Sequence, residues 1–255
     1  MKSLFIALAM YSKLPAPSVE WDKKSLSWAL CWFPVIGVVI GALLYGWFLL
    51  CAALGIGPFL RGAVSLLVPI AVSGAIHLDG FCDTSDALGS HQDRARKLEI
   101  LKDSHTGAFA IICCTVYLLL FFAAWCEVLP TGRAALVLAL GPVLSRGLSG
   151  LAAVTQPNAR GSGLLATFTQ PMDASRARIV LGLWLGVCAV LMVALDPWTG
   201  TASLIGAALS FLYYIRMSRR QFGGITGDLA GFFLQICECA IVLAVIMAQK
   251  AVVLL

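Results

Sequence analysis

The sequence predicts an all-α fold, a polytopic membrane helix bundle of about seven transmembrane helices preceded by an interfacial helix. Hydrophobic residues make up 60% of the 255 residues, charged residues only 12%, and the mean hydropathy is +0.92. Soluble domains contain about 45–50% apolar and about 25% charged residues. The apolar residues also form long charge-free segments, which one large soluble domain would not explain.

The N-terminal segment resembles a signal peptide, with Lys2, an apolar run and a Pro-Ala-Pro break. Its apolar run is short and is interrupted by Tyr11 and Lys13, so an uncleaved amphipathic helix in the membrane interface is favoured. Segments long enough to cross a hydrocarbon core of about 30 Å follow it. We place them at residues 26–54, 62–78, 107–126, 134–154, 179–195, 201–215 and 229–254.

Basic residues predict the orientation. With a cytoplasmic N-terminus, only Arg61, Arg133 and Lys250 lie on the opposite side. The polar loops 79–106, 155–178 and 216–228 then share the cytoplasmic face.

The net charge is +5, but no basic patch with interleaved aromatic residues indicates nucleic-acid binding. The nine cysteines form neither a CxxC pair nor the spacing of a zinc site. The chain, residues 1–255, is predicted to be a single integral-membrane catalytic domain.

Asp79, Asp83 and Asp86 follow an apolar run with i, i+4, i+7 spacing. At about 100° per residue, this spacing puts the carboxylates on one helix face. Ionised carboxylates that close repel one another, and a divalent cation relieves the repulsion. Oxygen ligands suit Mg²⁺, Mn²⁺ or Ca²⁺, so the stripe indicates a metal site, with a solvated acidic helix end as the plainer alternative. The sequence predicts that the preceding span continues straight into this stripe.

Asp103 is a fourth candidate carboxylate, and it equally suits the N-cap of the next helix. His77 and His105 bracket the same loop, where a histidine is more often structural than a base. Arg146 and Glu238 lie at membrane depth, where a charge is costly, and they are expected to face the bundle interior. An ion pair between them and a substrate contact both stay open.

The second loop contains Arg160 in the segment NARGSG, which suits either a phosphate site or a flexible loop with a topogenic arginine. The third loop reads FGGITGDLAG, where Gly224 allows close backbone approach and Thr226 offers a hydroxyl. Asp228 begins the last helix and is either an N-cap or a functional carboxylate.

The ordered motifs HLDGFCDTSDALG, ILKDSHTGAF, ARGSG and GGITGDLAG resemble those of the cobalamin synthase family, over nearly the whole chain. The resemblance implies a transferase that joins adenosylcobinamide-GDP to α-ribazole or its 5′-phosphate. The products would be adenosylcobalamin or its phosphate, and GMP. It also implies Mg²⁺ as cofactor, the lipid bilayer and these small molecules as partners, and the bacterial cytoplasmic (inner) membrane as location. A homo-oligomer stays open.

With the resemblance, the predicted metal ligands are Asp79, Asp83 and Asp86, and the predicted catalytic carboxylates are Asp83, Asp103 and Asp228. Further side chains and one glycine are predicted to bind substrate or its phosphates: His77, Thr84, Arg94, Lys102, Ser104, Arg160, Gly224 and Thr226. In-line phosphoryl transfer needs this combination of charge stabilisation and positioning.

The sequence leaves three alternatives. CDP-alcohol phosphotransferases need an Ala-Arg that does not follow Asp79-Gly80, and prenyltransferases need a second acidic motif that Asp228 alone replaces poorly. A cation-coupled transporter is the third alternative. Its coupling site would be expected near the membrane midplane at broken helices, rather than at a helix end on one face.

Overall fold

The computed structural model describes residues 1–161, 163–169 and 172–254, and this part of the chain is helical without a β-sheet. The all-α prediction is therefore confirmed. The helices are α1 (Lys2–Tyr11), α2 (Lys23–Ala29), α3 (Phe33–Leu54), α4 (Pro58–Ser73), α5 (Ile76–Gly89), α6 (Arg94–Ile100), α7 (Ala108–Glu127), α8 (Gly132–Thr155), α9 (Leu164–Thr169), α10 (Ala174–Leu195), α11 (Pro197–Phe222) and α12 (Gly227–Leu254). A 3-10 turn, Leu30–Trp32, joins α2 to α3.

Five helical segments of the described chain are long and apolar enough to cross a membrane, or six if α4 and α5 count as one broken span. The five include α3 with its preceding α2, then α7, α8, α10 and α12. About seven spans were predicted, so that count was too high by this criterion. The predicted segment 201–215 lies inside the 26-residue α11, whose last turns carry Arg216, Arg219 and Arg220.

The junction between α4 and α5 corrects a second expectation. The helix does not run straight into the aspartate stripe, because α4 ends at Ser73 and α5 leaves it at 94°. Gly74 and Ala75 both adopt left-handed backbone angles, with φ of 63° and 64°. The Ala75 N–H donates to the Ile70 carbonyl at 2.9 Å and closes the end of α4. The stripe therefore lies on a separate helix with its own direction.

Helices α8 and α12 form the centre of the bundle, since 78% and 67% of an 18-residue apolar stretch of each helix are buried. Helix α8 contacts α3 and α10, whereas α12 contacts α11, α5 and α7. Arg146 of α8 and Glu238 of α12 form a buried ion pair, and Ser145 donates a hydrogen bond to the same glutamate at 2.9 Å. The two charges at membrane depth therefore stabilise each other between the central helices.

The N-terminal helix α1 is part of a small layer with α2 and α9. Ile6 of α1 is fully buried with Leu26 and Ala29 of α2 and with Phe168 of α9, in a cluster separate from the main core. The chain after α1 then reaches the end of α4, where the Lys13 N–H donates to the Val72 carbonyl at 2.8 Å. This layer covers one side of the site described next, and its position in the membrane interface stays a prediction.

Candidate functional site

The acidic helix α5 packs against the start of α12 at two glycines. A Cβ atom on Gly80 would lie 2.7 Å from the Asp228 carbonyl oxygen, and one on Gly231 would lie 2.9 Å from the His77 carbonyl oxygen. Small residues at such crossings let two helix backbones approach closely in a membrane protein. The contact brings the first half of the aspartate stripe beside Asp228, which is distant in sequence.

The second and third polar loops also pair with each other, through a short parallel bridge between Asn158 and Ile225. The Ala159 N–H donates to the Ile225 carbonyl and the Ile225 N–H donates to the Pro157 carbonyl, both at 2.9 Å. A Cβ atom on Gly224 would lie only 2.2 Å from the Pro157 carbonyl oxygen. Gly224, predicted to contact substrate, is thus needed for the loop pairing itself.

The loop pairing positions Arg160 beside Asp228. The Arg160 Nη2 atom lies 3.1 Å from Asp228 Oδ2, and the two side chains are 17% and 27% exposed. The Arg160 Nε and Nη2 groups nevertheless make no hydrogen bond of good geometry with any described residue. The guanidinium therefore keeps N–H donors for an anion such as a phosphate.

Thr226, rather than Asp228, caps the last helix. Its hydroxyl oxygen accepts a hydrogen bond from the Leu229 N–H at 3.2 Å and lies 3.4 Å from Asp228 Oδ2. The N-cap alternative for Asp228 is therefore not what the structure shows. Its carboxylate, free of that role, faces Arg160.

The charges around Asp83 are unbalanced. The carboxylates of Asp79, Asp228 and Asp86 all act on it, and Arg160 is the nearby positive charge among the described residues. We call Asp79, Asp83 and Asp228 the acidic cluster. Neighbouring like charges disfavour one another, and a cation bound among them would relieve the repulsion.

Asp86 also belongs to α5, but its side chain contacts the start of α7 and not this cluster. Its Oδ1 atom accepts from the Ala110 N–H at 3.4 Å, and its carboxylate lies against the backbone of Gly107, the N-cap of α7. The helix dipole and the free N–H groups favour a carboxylate there. Its role as a metal ligand stays a prediction. The structure shows its carboxylate, carried by α5, capping the start of α7.

A cavity of about 160 Å³ opens beside the acidic cluster. The polar and charged side chains of Asp79, Arg160, Thr226 and Asp228 form part of its lining. Much of the remaining lining is apolar and comes from several helices: Tyr11, Leu30, Phe33, His77, Ser149, Ala153, Leu165 and Leu234. The cavity therefore offers both charged and apolar surface to a single ligand.

The remaining predicted residues lie elsewhere. Lys102, Asp103 and Ser104 are exposed in the connection between α6 and α7. The His105 backbone N–H donates to Asp103 Oδ1 at 2.9 Å, and the His105 ring nitrogen lies 2.7 Å from the same oxygen. These hydrogen bonds hold the pKa of Asp103 below its ordinary value. Asp103 is thus a loop carboxylate and not the N-cap of α7, which is Gly107.

Two further predicted residues have different surroundings. Arg94 is exposed, and its guanidinium lies against Gly223 of the third loop. Thr84 is fully buried in α5, and its hydroxyl makes no hydrogen bond within the described residues. Arg94 is therefore near enough to the paired loops to meet a large substrate, and Thr84 faces the protein interior.

The donor chemistry of the acidic cluster fits a hard divalent cation, since every ligand it offers is a carboxylate oxygen. Across the described ranges, no three His, Cys, Asp or Glu side chains are already arranged to hold a metal ion. Mg²⁺ commonly takes only one or two carboxylates and completes its shell with water and substrate phosphate oxygens. The arrangement suits that mode of binding better than a complete protein cage.

Sequence reasoning missed several cavity residues. Tyr11, Phe33 and Ser149 belong to apolar helices, where no local pattern distinguishes a cavity-lining side chain from a core residue. Asn158 was detectable: it follows Pro157, and its Oδ1 accepts from the Arg160 N–H at 2.9 Å and the Gly161 N–H at 3.1 Å. Asparagine after proline is typical of such turns.

Comparison with known proteins identifies the family. The family model described as cobalamin-5-phosphate synthase matches residues 3–246. Curated relatives named adenosylcobinamide-GDP ribazoletransferase include one from Lachnoclostridium phytofermentans, 42% identical over 99% of this chain and 96% of the relative. Another, from Stutzerimonas stutzeri, is 36% identical over 94% of this chain and 96% of the relative. No solved structure matches. The chain therefore belongs to the cobalamin-5-phosphate synthase family.

Proposed function

We propose that the chain is an adenosylcobinamide-GDP ribazoletransferase, which completes the nucleotide loop of cobalamin. The acceptor is α-ribazole or its 5′-phosphate, and the donor is adenosylcobinamide-GDP. The observation that carries this assignment is the joint placement of Asp79, Asp228 and Arg160 around one cavity, in a chain of this family. Transfer of a substituted phosphoryl group requires both an anion-binding group and carboxylates at one point.

In this reaction the ribose 3′-hydroxyl oxygen attacks the corrinoid-linked phosphorus of the diphosphate. A new O–P bond forms as the bond from that phosphorus to the bridging oxygen breaks, and GMP departs with the bridging oxygen. The hydroxyl proton passes to one of the two carboxylates that line the cavity, Asp79 or Asp228. The free N–H donors of Arg160 bind the diphosphate and compensate the charge that develops on it.

Asp79, Asp83 and Asp228 are the residues that would hold Mg²⁺. The bound cation would supply charge neutralisation at the diphosphate and at the departing GMP. The imbalance of charge around Asp83 supports this choice. Asp86 also holds the start of α7 against α5, and its role as a metal ligand stays a prediction.

The sequence also supports a location and an orientation. We place the chain in the bacterial cytoplasmic (inner) membrane, with the acidic cluster and the N-terminus on the cytoplasmic side, because most basic residues lie in the loops of that side. A soluble nucleoside would then reach the site directly from the cytoplasm, and GMP would be released into it. Cysteine labelling of loop positions in intact and opened spheroplasts would report the opposite sidedness if this orientation were wrong.

Asp83→Asn tests the proposed function, since it keeps the shape of the side chain and removes its charge. We expect the rate of GMP release from adenosylcobinamide-GDP and α-ribazole to fall at least about a hundredfold in the purified protein with Mg²⁺. Asp93→Asn is the matched control. Asp93 is an exposed N-cap of α6, and asparagine caps helices equally well. Wild-type turnover in Asp83→Asn would remove the cluster from the reaction.

A further inference from the structure

The lining of the cavity includes a buried polar group that the transfer step does not use. His77 is 6% exposed and lines the cavity, and its Nε2 atom makes no hydrogen bond to any described residue. A buried ring nitrogen without a hydrogen-bond partner is energetically unfavourable. A bound ligand could supply the missing partner.

Two aromatic rings line the cavity together with His77. The ring of Phe33 is 5.8 Å from that of His77 in an edge arrangement, and the ring of Tyr11 is 4.6 Å from that of Phe33. Phe33 is 3% exposed, so the wall it forms is held in place by the core. Flat aromatic and aliphatic surfaces with one polar atom are suited to a planar ring that carries few polar groups.

The size of the cavity excludes the larger parts of the donor. Its volume of about 160 Å³ is of the order of an engineered apolar cavity that binds benzene, and it is far too small for a corrin ring. A guanine base fits poorly for a different reason. Guanine presents several donors and acceptors, and burying them against this mainly apolar wall would leave most of them unpaired.

We propose that this cavity binds the base of the acceptor nucleoside, with His77 Nε2–H donating a hydrogen bond to the unsubstituted ring nitrogen. The proposal rests on the proposed function, because that function supplies a nucleoside with a bicyclic heteroaromatic base. Asp79 and Asp228 line the same cavity, so the ribose attached to a base bound beside His77 would lie near them. His77 thus determines specificity for the acceptor and takes no part in the transfer.

Binding of two nucleosides tests this assignment directly. One is α-ribazole, and the other is its indole counterpart, in which a C–H group replaces the unsubstituted ring nitrogen. Equilibrium dialysis with the purified full-length protein, without corrinoid or metal, measures both dissociation constants. We expect the wild type to prefer α-ribazole about tenfold, and His77→Leu to bind both nucleosides with the affinity that the wild type shows for the indole form.

His91→Asn is the matched control, since His91 is exposed with φ of 52° and asparagine tolerates that conformation. It should keep the tenfold preference. A preference retained in His77→Leu, equal binding of both nucleosides by the wild type, or displacement of α-ribazole by guanosine at similar concentration would each overturn the proposal.

A second pair of variants tests the cavity without changing a polar group. Ala153→Leu puts a larger side chain into the cavity, whereas Ala123→Leu adds the same atoms to an exposed position on α7. We expect Ala153→Leu to weaken binding of both nucleosides at least about tenfold and Ala123→Leu to leave both unchanged. Unchanged binding in Ala153→Leu would place the base elsewhere.

Failure of the pocket and failure of the proposed function give different results. GMP release by the wild type with unaltered nucleoside selectivity in His77→Leu would refute the pocket alone. Selective nucleoside binding without any GMP release would refute the transferase and leave the pocket supported.

Discussion

Replacing Gly224 with alanine should uncouple the second and third loops. The new Cβ would lie 2.2 Å from the Pro157 carbonyl oxygen and 3.0 Å from the Ala159 nitrogen, so the backbones must separate. The bridge contains two hydrogen bonds of 2.9 Å between these loops. At about 0.5–1.5 kcal/mol each, their loss disfavours the paired arrangement by about 1–3 kcal/mol, or about 5–150-fold in population.

Turnover should fall by about the same factor, because the paired loops hold Arg160 beside Asp228. The assay is GMP release by purified Gly224→Ala protein, with far-UV circular dichroism and thermal unfolding to show that the helices remain. Gly182→Ala is the control, since a Cβ atom on Gly182 meets nothing within 4 Å. Wild-type kcat/KM in Gly224→Ala would show that the loop pairing does not position these groups.

Two other variants test the bundle. Gly80→Ala should lower turnover by up to about a hundredfold, because a Cβ atom on residue 80 meets the Asp228 backbone and moves α5 away from α12. Gly46→Ala is the control, since a Cβ atom on Gly46 meets nothing within 4 Å. Equal rates for both would contradict the close crossing. Glu238→Gln should lower the free energy of unfolding in detergent by about 3–5 kcal/mol, since it leaves the Arg146 guanidinium buried without a counter-charge. An unchanged melting temperature would contradict that role of the ion pair.

Local features of the sequence predicted the class of fold and the helix that carries Asp79 and Asp83. Hydropathy reports which segments leave water, and helical spacing reports which side chains share a face, so both follow from short-range geometry. The membrane helix bundle is confirmed on that basis. The same reasoning failed at residues 74 and 75, where two consecutive left-handed residues turned the expected straight helix through 94°.

The partners of the charged side chains required the tertiary structure. Spacing placed Asp86 with Asp79 and Asp83, yet the start of α7 engages its carboxylate. Asp228 suited an N-cap equally well, but Thr226 takes that position.

By itself, therefore, the sequence determined a helical membrane chain with an acidic helix, because hydropathy and helical periodicity act over neighbouring residues. Only the tertiary structure decided that Arg160 meets Asp228, that Phe33 of α3 lies against His77 and that Tyr11 of α1 lies against Phe33. These contacts join residues far apart in the chain. They depend on how closely glycine-containing helices and loops approach one another, and no local pattern encodes that.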